Sequence, residues 1–309
     1  MKNNQSKLKT AIIGAGITGL YLGWKLSEKG HQPTIFEKRD KIGKEVCSGL
    51  FSERILKFIP ESKKLIQNEI NSCLIHFPKK TIKVSFSKKF FVMDHAELDK
   101  LVAQLAEAAG AKIILNWSGP NLDQLKAEFD RIIGCDGANS AVRKSLGLKE
   151  PAFRLGIQGF INEENKAGYV EVWPIKQGFS WKIPRGRQTE YGILGSVLEV
   201  KGKLQVKEER AALIPQGFII PKNNFITLCG DASGLTKPWS GGGVIWGLIE
   251  AQMLLKAFPD FSRYRRKART YFAPKIAFSK TATFLAYFSG FKMPWLLPKN
   301  IKIESDFLL

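Results

Sequence analysis

From its first residues the chain alternates short apolar runs with stretches in which apolar positions recur every three or four residues. Residues 8–13, LKTAII, read as a short buried strand, LYLGWKLSEKG as a helix, and PTIFE, ending at Glu37, as a second strand. SCLIHF, TIKVSFS and KFFVMD then alternate apolar and polar positions, which suits antiparallel strands. AELDKLVAQLAEAAG, 96–110, has the spacing of an amphipathic helix with Gly110 as its stop, and AKIIL resumes as a strand. FDRIIGCDGANSAVRKSLG, 129–147, gives a strand from Arg131 to Ile133, a turn, and a helix carrying Arg143. Residues 151–216 are rich in aromatic and β-branched residues (GFSWKIP, EYGILGSVLEV) and predict a sheet domain inserted into the nucleotide fold. NFITLCGDASG returns to a strand ending in Gly-Asp, and VIWGLIEA carries an apolar helical pattern.

This order predicts an α/β fold. Its parts are a Rossmann-like nucleotide-binding domain (1–77, 94–150 and 217–258), an inserted antiparallel β-sheet substrate domain (78–93 and 151–216), and a short helical, basic and aromatic C-terminus (259–309). The loop GAGITG places Gly14, Gly16 and Gly19 in G-x-G-x-x-G spacing between strand and helix. The first glycine permits the tight turn, the second lets backbone approach a pyrophosphate, and the third lets helix sit close on strand. Glu37, 18 residues beyond Gly19, is placed to accept from an adenosine ribose. That unit alone does not separate NAD from FAD.

Composition narrows the partners. With 309 residues and 44% hydrophobic content the chain can bury a full core. No charge-free apolar run of about 18 residues occurs, so a spanning helix is not expected, and a cytoplasmic chain is. Four cysteines without a C-x-x-C pair and three scattered histidines predict reduced thiols and no metal site. The formal charge of +20, with RYRRKAR at 263–269 among its runs, draws the chain toward polyanions. No nucleic-acid motif accompanies it, so the expected contact is a peripheral one with an anionic membrane surface, on its inner face, and not nucleic acid.

In this order the glycine motif with Glu37, Asp136-Gly137 with Arg143, and Gly230-Asp231 resemble the FAD-dependent oxidoreductases of the para-hydroxybenzoate hydroxylase type. Within that group GDASGLTKPWSGGGV, 230–244, is similar to the geranylgeranyl reductase family, which saturates double bonds of isoprenoid chains on lipids or pigments. The match runs through Asp231, Gly234, Lys237, Pro238 and Gly241 to Gly243, with Ser233 and Val244 as mild departures. CSGLF, 47–51, and GFSWKIP, with Phe179, Trp181 and Pro184, are further matches. The resemblance implies FAD as cofactor, with Asp136 near its pyrophosphate and Asp231 at its ribityl chain. It also implies Cys47, Ser48, Leu50, Gly241, Gly242, Gly243 and Val244 around the flavin, and Cys47 as candidate catalytic residue. Phe179, Trp181 and Pro184, joined by Trp173, are the candidate walls of an apolar substrate tunnel. His95 stands where the family has an FAD-contacting arginine, which makes that contact conditional on protonation. Trimmed stretches between Leu115 and Phe129 and after Gly290 imply a smaller lid.

The expected function is therefore FAD-dependent reduction of C=C bonds in a geranylgeranyl or other isoprenoid chain on a lipid. A flavin monooxygenase or halogenase is an alternative: FSWKIP comes within one residue of the halogenase signature, and Lys79 or Lys80 would be its lysine. A non-catalytic flavin-binding protein is the other. The electron donor stays open among ferredoxin, a deazaflavin and NAD(P)H. The tail is expected either to rest on lipid as an interfacial helix or to pack over the substrate domain.

Overall fold

The structure, a computed structural model, describes residues 7–43, 46–196, 198 and 210–304; part of the stretch EYGILGSVLEV lies outside them. Strand β1 (Lys9–Ile13) runs through the glycine loop into the helix Ile17–Glu28, and β2 (Gln32–Phe36) returns parallel to it with Ala11 opposite Thr34. After β3 (Leu50–Ser52), β4 (Ile66–Phe77) and β5 (Lys80–Met93) form a long hairpin. The helix His95–Ala108 is capped by Asp94, whose carboxylate accepts from Ala96 N and Glu97 N. Next come β6 (Lys112–Ile114), the helix Leu122–Glu128, β7 (Arg131–Gly134) and the helix Ala141–Ser145. Strands β8 (Ala152–Ile161), β9 (Tyr169–Ile175), β10 (Gly178–Arg185), β11 (Gln188–Gly195) and β12 (Arg210–Gln216) precede β13 (Ile226–Leu228). The chain continues through the helices Val244–Ala257 and Phe261–Lys292 to β14 (Asn300–Ile303).

The first sheet is five-stranded and parallel, in the order β13-β7-β1-β2-β6. Its strands read as unbroken apolar runs because both faces are covered. Ile12, Ile35 and Ile133 point into the core with Leu20, Leu98 and Trp246, while Ala11, Ile13 and Ile132 point into a second core with Leu125 and Val142. The second sheet has nine strands, ordered β12-β8-β11-β10-β9-β4-β5-β14, with β3 on β5.

Three sequence expectations change here. The domain boundary drawn at residue 77 falls in the turn of the β4–β5 hairpin. Strand β4, counted above with the nucleotide domain, hydrogen-bonds to β5 and β9 and buries Ile70 and Cys73 against Val84, Val170 and Ile183. TIKVSFS and KFFVMD are a single strand, β5, whose pairing with β4 is broken by irregularities between Ile66 and Asn68 and between Ile70 and Ser72. The C-terminus is not short. Its helix runs 32 residues and is followed by β14, which pairs in parallel with β5. Phe261, Tyr264, Ala268 and Phe272 bury the first half of that helix against the first domain, and Gly290 presses the second half onto Phe77 of the second sheet.

Candidate functional site

The three motifs meet at the carboxyl ends of β13, β7 and β1, where open α/β sheets bind ligands. Gly14 leaves β1 with φ of 106° and lies on the Cys135 backbone, where any Cβ would overlap the Cys135 carbonyl. The Gly230–Ser233 turn rests on Thr18, in the first turn of the helix Ile17–Glu28. Gly243 in turn lies on Asp231, so close that a Cβ would stand 2.7 Å from Asp231 Oδ1. The loop before it is closed by Lys237 N donating to Gly242 O at 3.1 Å and Gly241 N donating to Lys237 O at 2.9 Å.

Two helices begin in this cradle, one after Gly16 and one after Gly243. Neither has a side-chain cap or an acid in its first turn, so their leading N–H groups and positive dipole ends are left for an anion. Above Gly16 there is open space where a side chain would stand. Such paired donors fit a diphosphate and an electron-rich ring. Glu37, buried at the end of β2, accepts from Ala15 N at 2.8 Å and from Arg39 Nε at 3.0 Å. Burial would raise its carboxyl, but those bonds and the Arg39 charge outweigh it and hold Glu37 below the usual carboxylate range. An ionised acid there retains lone pairs for a ribose.

Asp136 lies against the glycine loop, where a Gly14 Cβ would stand 2.8 Å from its Cα. Its carboxylate accepts from Ser140 Oγ at 2.6 Å and from Val142 N at 3.1 Å, so it shapes the turn into the next helix from within. The fully buried Arg143 locks that turn to the Gly-Asp turn by donating to Ala138 O and Ala232 O.

Cys47, Ser48 and Leu50 form the facing lip. Gln158 Nε2 holds Cys47 O at 3.3 Å, and Arg185 Nη1 holds Ser48 O at 2.7 Å. Met93 N donates to Gly49 O and joins the lip to β5. Behind the lip, buried His95 stands 3.4 Å from Asp99 Oδ1. The second sheet supplies the apolar wall: Leu194 and Ile214 reach Gly241, and Trp181 lies flat over Gly192 and donates to Glu190 Oε1 at 2.8 Å. Phe179 packs beside Trp181 with ring centroids 5.8 Å apart.

Trp173 and Pro184 do not share that wall. Trp173 is registered with Ser180, and Pro184 is an even position on β10, so strand alternation turns both away from Phe179 and Trp181. Trp173 stacks on His76 instead, at 5.1 Å. Lys79 is exposed in the hairpin turn, and Lys80 donates to Leu297 O on the C-terminal segment, so neither enters the cradle. A concavity of about 600 Å³ also lies elsewhere, lined by Lys222, Arg265, Arg266 and Arg269 among others.

Four site residues went unread in the sequence: Asp99, Gln158, Arg185 and Glu190. Asp99 had a signal, an acid one helical turn after His95. Glu190, which is fully buried 3.3 Å from Arg185, had a weaker one as an acid within an apolar strand. Burial pushes the Glu190 carboxyl up to about 7, although the Arg185 charge and the Trp181 hydrogen bond act against the rise.

Residues 12–49 match a family described as an NAD(P)-binding Rossmann-like domain. The chain is 23% identical over 293 residues to the digeranylgeranylglycerophospholipid reductase of Methanocella arvoryzae, covering 78% of this chain and 74% of that one. It is similar in fold to a geranylgeranyl bacteriochlorophyll reductase-like protein from Thermoplasma acidophilum, with a TM-score of 0.75 at 19% identity over 90% of this chain and 87% of the other. A tryptophan 6-halogenase from Streptomyces toxytricini shares the fold at a TM-score of 0.74 and 13% identity, over 92% and 80%.

Proposed function

We propose that this chain is an FAD-dependent reductase similar to the geranylgeranyl reductases, which saturates C=C bonds in the isoprenoid chain of a lipid. The observation that carries this reading is the Lys237–Gly243 loop, folded onto Asp231 beneath Leu194 and Ile214 of the sheet. It joins an uncapped helix end, suited to an electron-rich ring, to an apolar wall suited to a hydrocarbon. A digeranylgeranylglycerophospholipid reductase is matched in sequence at 23% identity, whereas the halogenase shares the fold at 13%, which favours reduction over halogenation.

When bound, reduced FAD supplies hydride at this site. The protein's own residues orient and enclose it. Glu37 and the two helix ends hold the dinucleotide, Arg143 fixes the turns around it, and Gln158 and Arg185 hold the lip that carries Cys47. Phe179 and Trp181 line the path of the substrate and exclude water from it.

The second half of the C-terminal helix supports a peripheral contact with anionic lipid. Phe284 is 67% exposed and Trp295 71%, with Phe288 between them, and Lys280, Lys292 and Lys299 are exposed beside them. No described helix is long and apolar enough to cross a membrane.

The test is to reconstitute the protein with FAD, reduce it anaerobically and add a digeranylgeranyl lipid. The expected result is flavin reoxidation with a mass gain of one hydrogen pair per saturated bond. Reoxidation by oxygen alone, with oxidation or halogenation of an aromatic substrate, would overturn the proposal.

A further inference from the structure

Trp181, Ile183 and Arg185 are alternate residues of β10 and share the face of the sheet that walls the cleft. Glu190 on β11 is registered with Ile183, so Trp181 and Arg185 are its two diagonal neighbours on that face. Its carboxylate meets both. Oε1 accepts from Trp181 Nε1 at 2.8 Å, and Oε2 faces Arg185 Nη1 at 3.3 Å, an ion pair that lacks the direction of a hydrogen bond. Glu190 is fully buried, and the Arg185 side chain is 9% exposed.

The same guanidinium reaches the lip. Nη1 donates to Ser48 O at 2.7 Å and lies so close on Gly49 that any Cβ there would overlap it. Gly49 has φ of 62° and its carbonyl accepts from Met93 N at 2.9 Å, so the lip has little room to shift around Arg185. Phe160 closes another side, with its ring centroid 5.5 Å from Arg185 Cζ. At the other end Trp181 lies flat on Gly192, where again any Cβ would overlap the ring. One carboxylate thus stands between an indole fixed in the wall and a guanidinium fixed on the residue next to Cys47.

Stability does not account for that arrangement. The attraction within a buried ion pair roughly offsets the hydration it forfeits, and apolar side chains of the same volume serve a core as well or better. What a carboxylate adds is geometry: it accepts on both oxygens, so the indole and the guanidinium are set relative to one another. An amide of the same shape accepts on one side only and turns its N–H groups toward the other donor.

We propose that Glu190 is a positioning residue that ties the apolar wall to the lip, through Trp181 on one side and Arg185 on the other, so that a displacement of the wall is felt at Ser48 and Cys47. On the reductase reading above, on which this use rests, the tie fixes the distance between hydrocarbon lying on Trp181 and the flavin facing the lip. The tie itself belongs to the chain with or without substrate.

Alkylation of the cysteines in the FAD-loaded protein, read by mass spectrometry, tests the tie without turnover. Cys47 is half-exposed whereas Cys73, Cys135 and Cys229 are buried, so those three report unfolding while Cys47 reports the lip. At about pH 8, above the value of about 7 to which burial raises Glu190, the carboxyl is ionised. Glu190→Gln should speed labelling of Cys47 about tenfold, the factor that a hydrogen bond to a charged group is worth, with the other three cysteines as slow as in the wild type. Trp181→Phe, which removes the indole donor from the wall alone, should give a smaller increase confined to Cys47, and supplies the reading if Glu190→Gln fails to fold. No change at Cys47 in either variant, or a rise at all four cysteines in both, would overturn the proposal. Glu190→Gln should also slow flavin reoxidation by a digeranylgeranyl lipid, per bound flavin, by a comparable factor, and an unchanged rate would likewise overturn it. A wild-type flavin that the lipid does not reoxidise, beside labelling as expected, would instead count against the reductase reading alone.

Discussion

Glu250 lies fully buried beneath the Gly-Asp turn, where Oε2 accepts from Gly230 N at 2.6 Å and from Ser233 Oγ at 3.1 Å. Its Oε1 is 2.8 Å from Tyr264 Oη, which is itself 2.9 Å from Leu228 O. Leu228 O can only accept, so when the single Tyr264 proton goes to it, Glu250 must carry a proton of its own. Burial accordingly pushes Glu250 up to about 7, with its hydrogen bonds offsetting part of the rise. A carboxyl raised in the folded chain binds its proton more tightly than the unfolded chain does. Its contribution to stability therefore falls as pH climbs from about 4.5 to about 7 and is level above. Glu190 acts in the same sense and window, whereas Glu37, being lowered, acts below it. Urea unfolding should thus show stability dropping between about pH 5 and about pH 7.5 by an amount on the order of 2 kcal/mol per group. Glu250→Gln should flatten its share of the slope, and a pH-independent stability in the wild type would refute the assignment. None of this was visible in the sequence, because Glu250, Ser233 and Tyr264 acquire meaning only through partners on other elements. Glu37 and Gly14 were readable, since a tight turn and a strand end leave few residue types able to serve. Pro184 was misplaced even though strand alternation alone puts it opposite Trp181, while correcting Trp173 needed the register of β9 on β10, which local pattern does not contain.

At the level of elements, the strands and helices of the nucleotide domain were legible because each buries a single kind of surface. The C-terminal segment was read as helical, but the length of its helix was not legible. Its first half repeats Phe261, Tyr264, Ala268 and Phe272 against one core, it continues through Pro274, and its second half crosses a different surface at Ser279 and Gly290. Two faces in succession, with an internal proline, blur the periodicity from which a helix is read. The helix thereby ties the two sheets together, and Tyr287 Oη reinforces the crossing by donating to Gly178 O at 2.7 Å. Gly290 is the contact point, because any side chain there would run into the Phe77 ring. Gly290→Val should cost about 1 to 3 kcal/mol by overpacking, offset in part by a better helix former. It should loosen the second half of the helix before the first. Amide exchange would show protection lost around residues 280–292 while the Phe261–Phe272 stretch keeps it; equal protection in the two chains would mean that the crossing does not hold the helix.

Over the whole molecule the net charge is +20, and part of that excess, ten Lys and Arg against three Asp and Glu over residues 259–309, lies in the same C-terminal region as the exposed aromatic stretch, so that each limits what the other can do. Charge alone would bind any polyanion, with a strength that salt screens within about 10 Å at 0.1 M. Apolar side chains alone would favour any bilayer or another protein. On the proposed membrane contact the two together favour an anionic bilayer, where each lysine near the surface would contribute about 1 kcal/mol and each inserted aromatic a comparable amount. The basic concavity at Lys222, Arg265, Arg266 and Arg269 extends the cationic surface along the helix toward its start. Sedimentation with vesicles should therefore show binding to phosphatidylglycerol-rich membranes and little to phosphatidylcholine, weakening as salt is raised. Replacing Phe284, Phe288 and Trp295 together by serine should abolish the binding at moderate salt while FAD retention stays as in the wild type, since none of the three reaches the cradle. Binding that survives this triple substitution but vanishes with salt would leave only a charged surface, and binding to both lipids alike would leave only an apolar one. A substrate tailed with long hydrocarbon must leave its bilayer to reach the wall of Phe179 and Trp181. A helix that lies on that sheet and also rests on lipid shortens the distance over which the hydrocarbon would meet water.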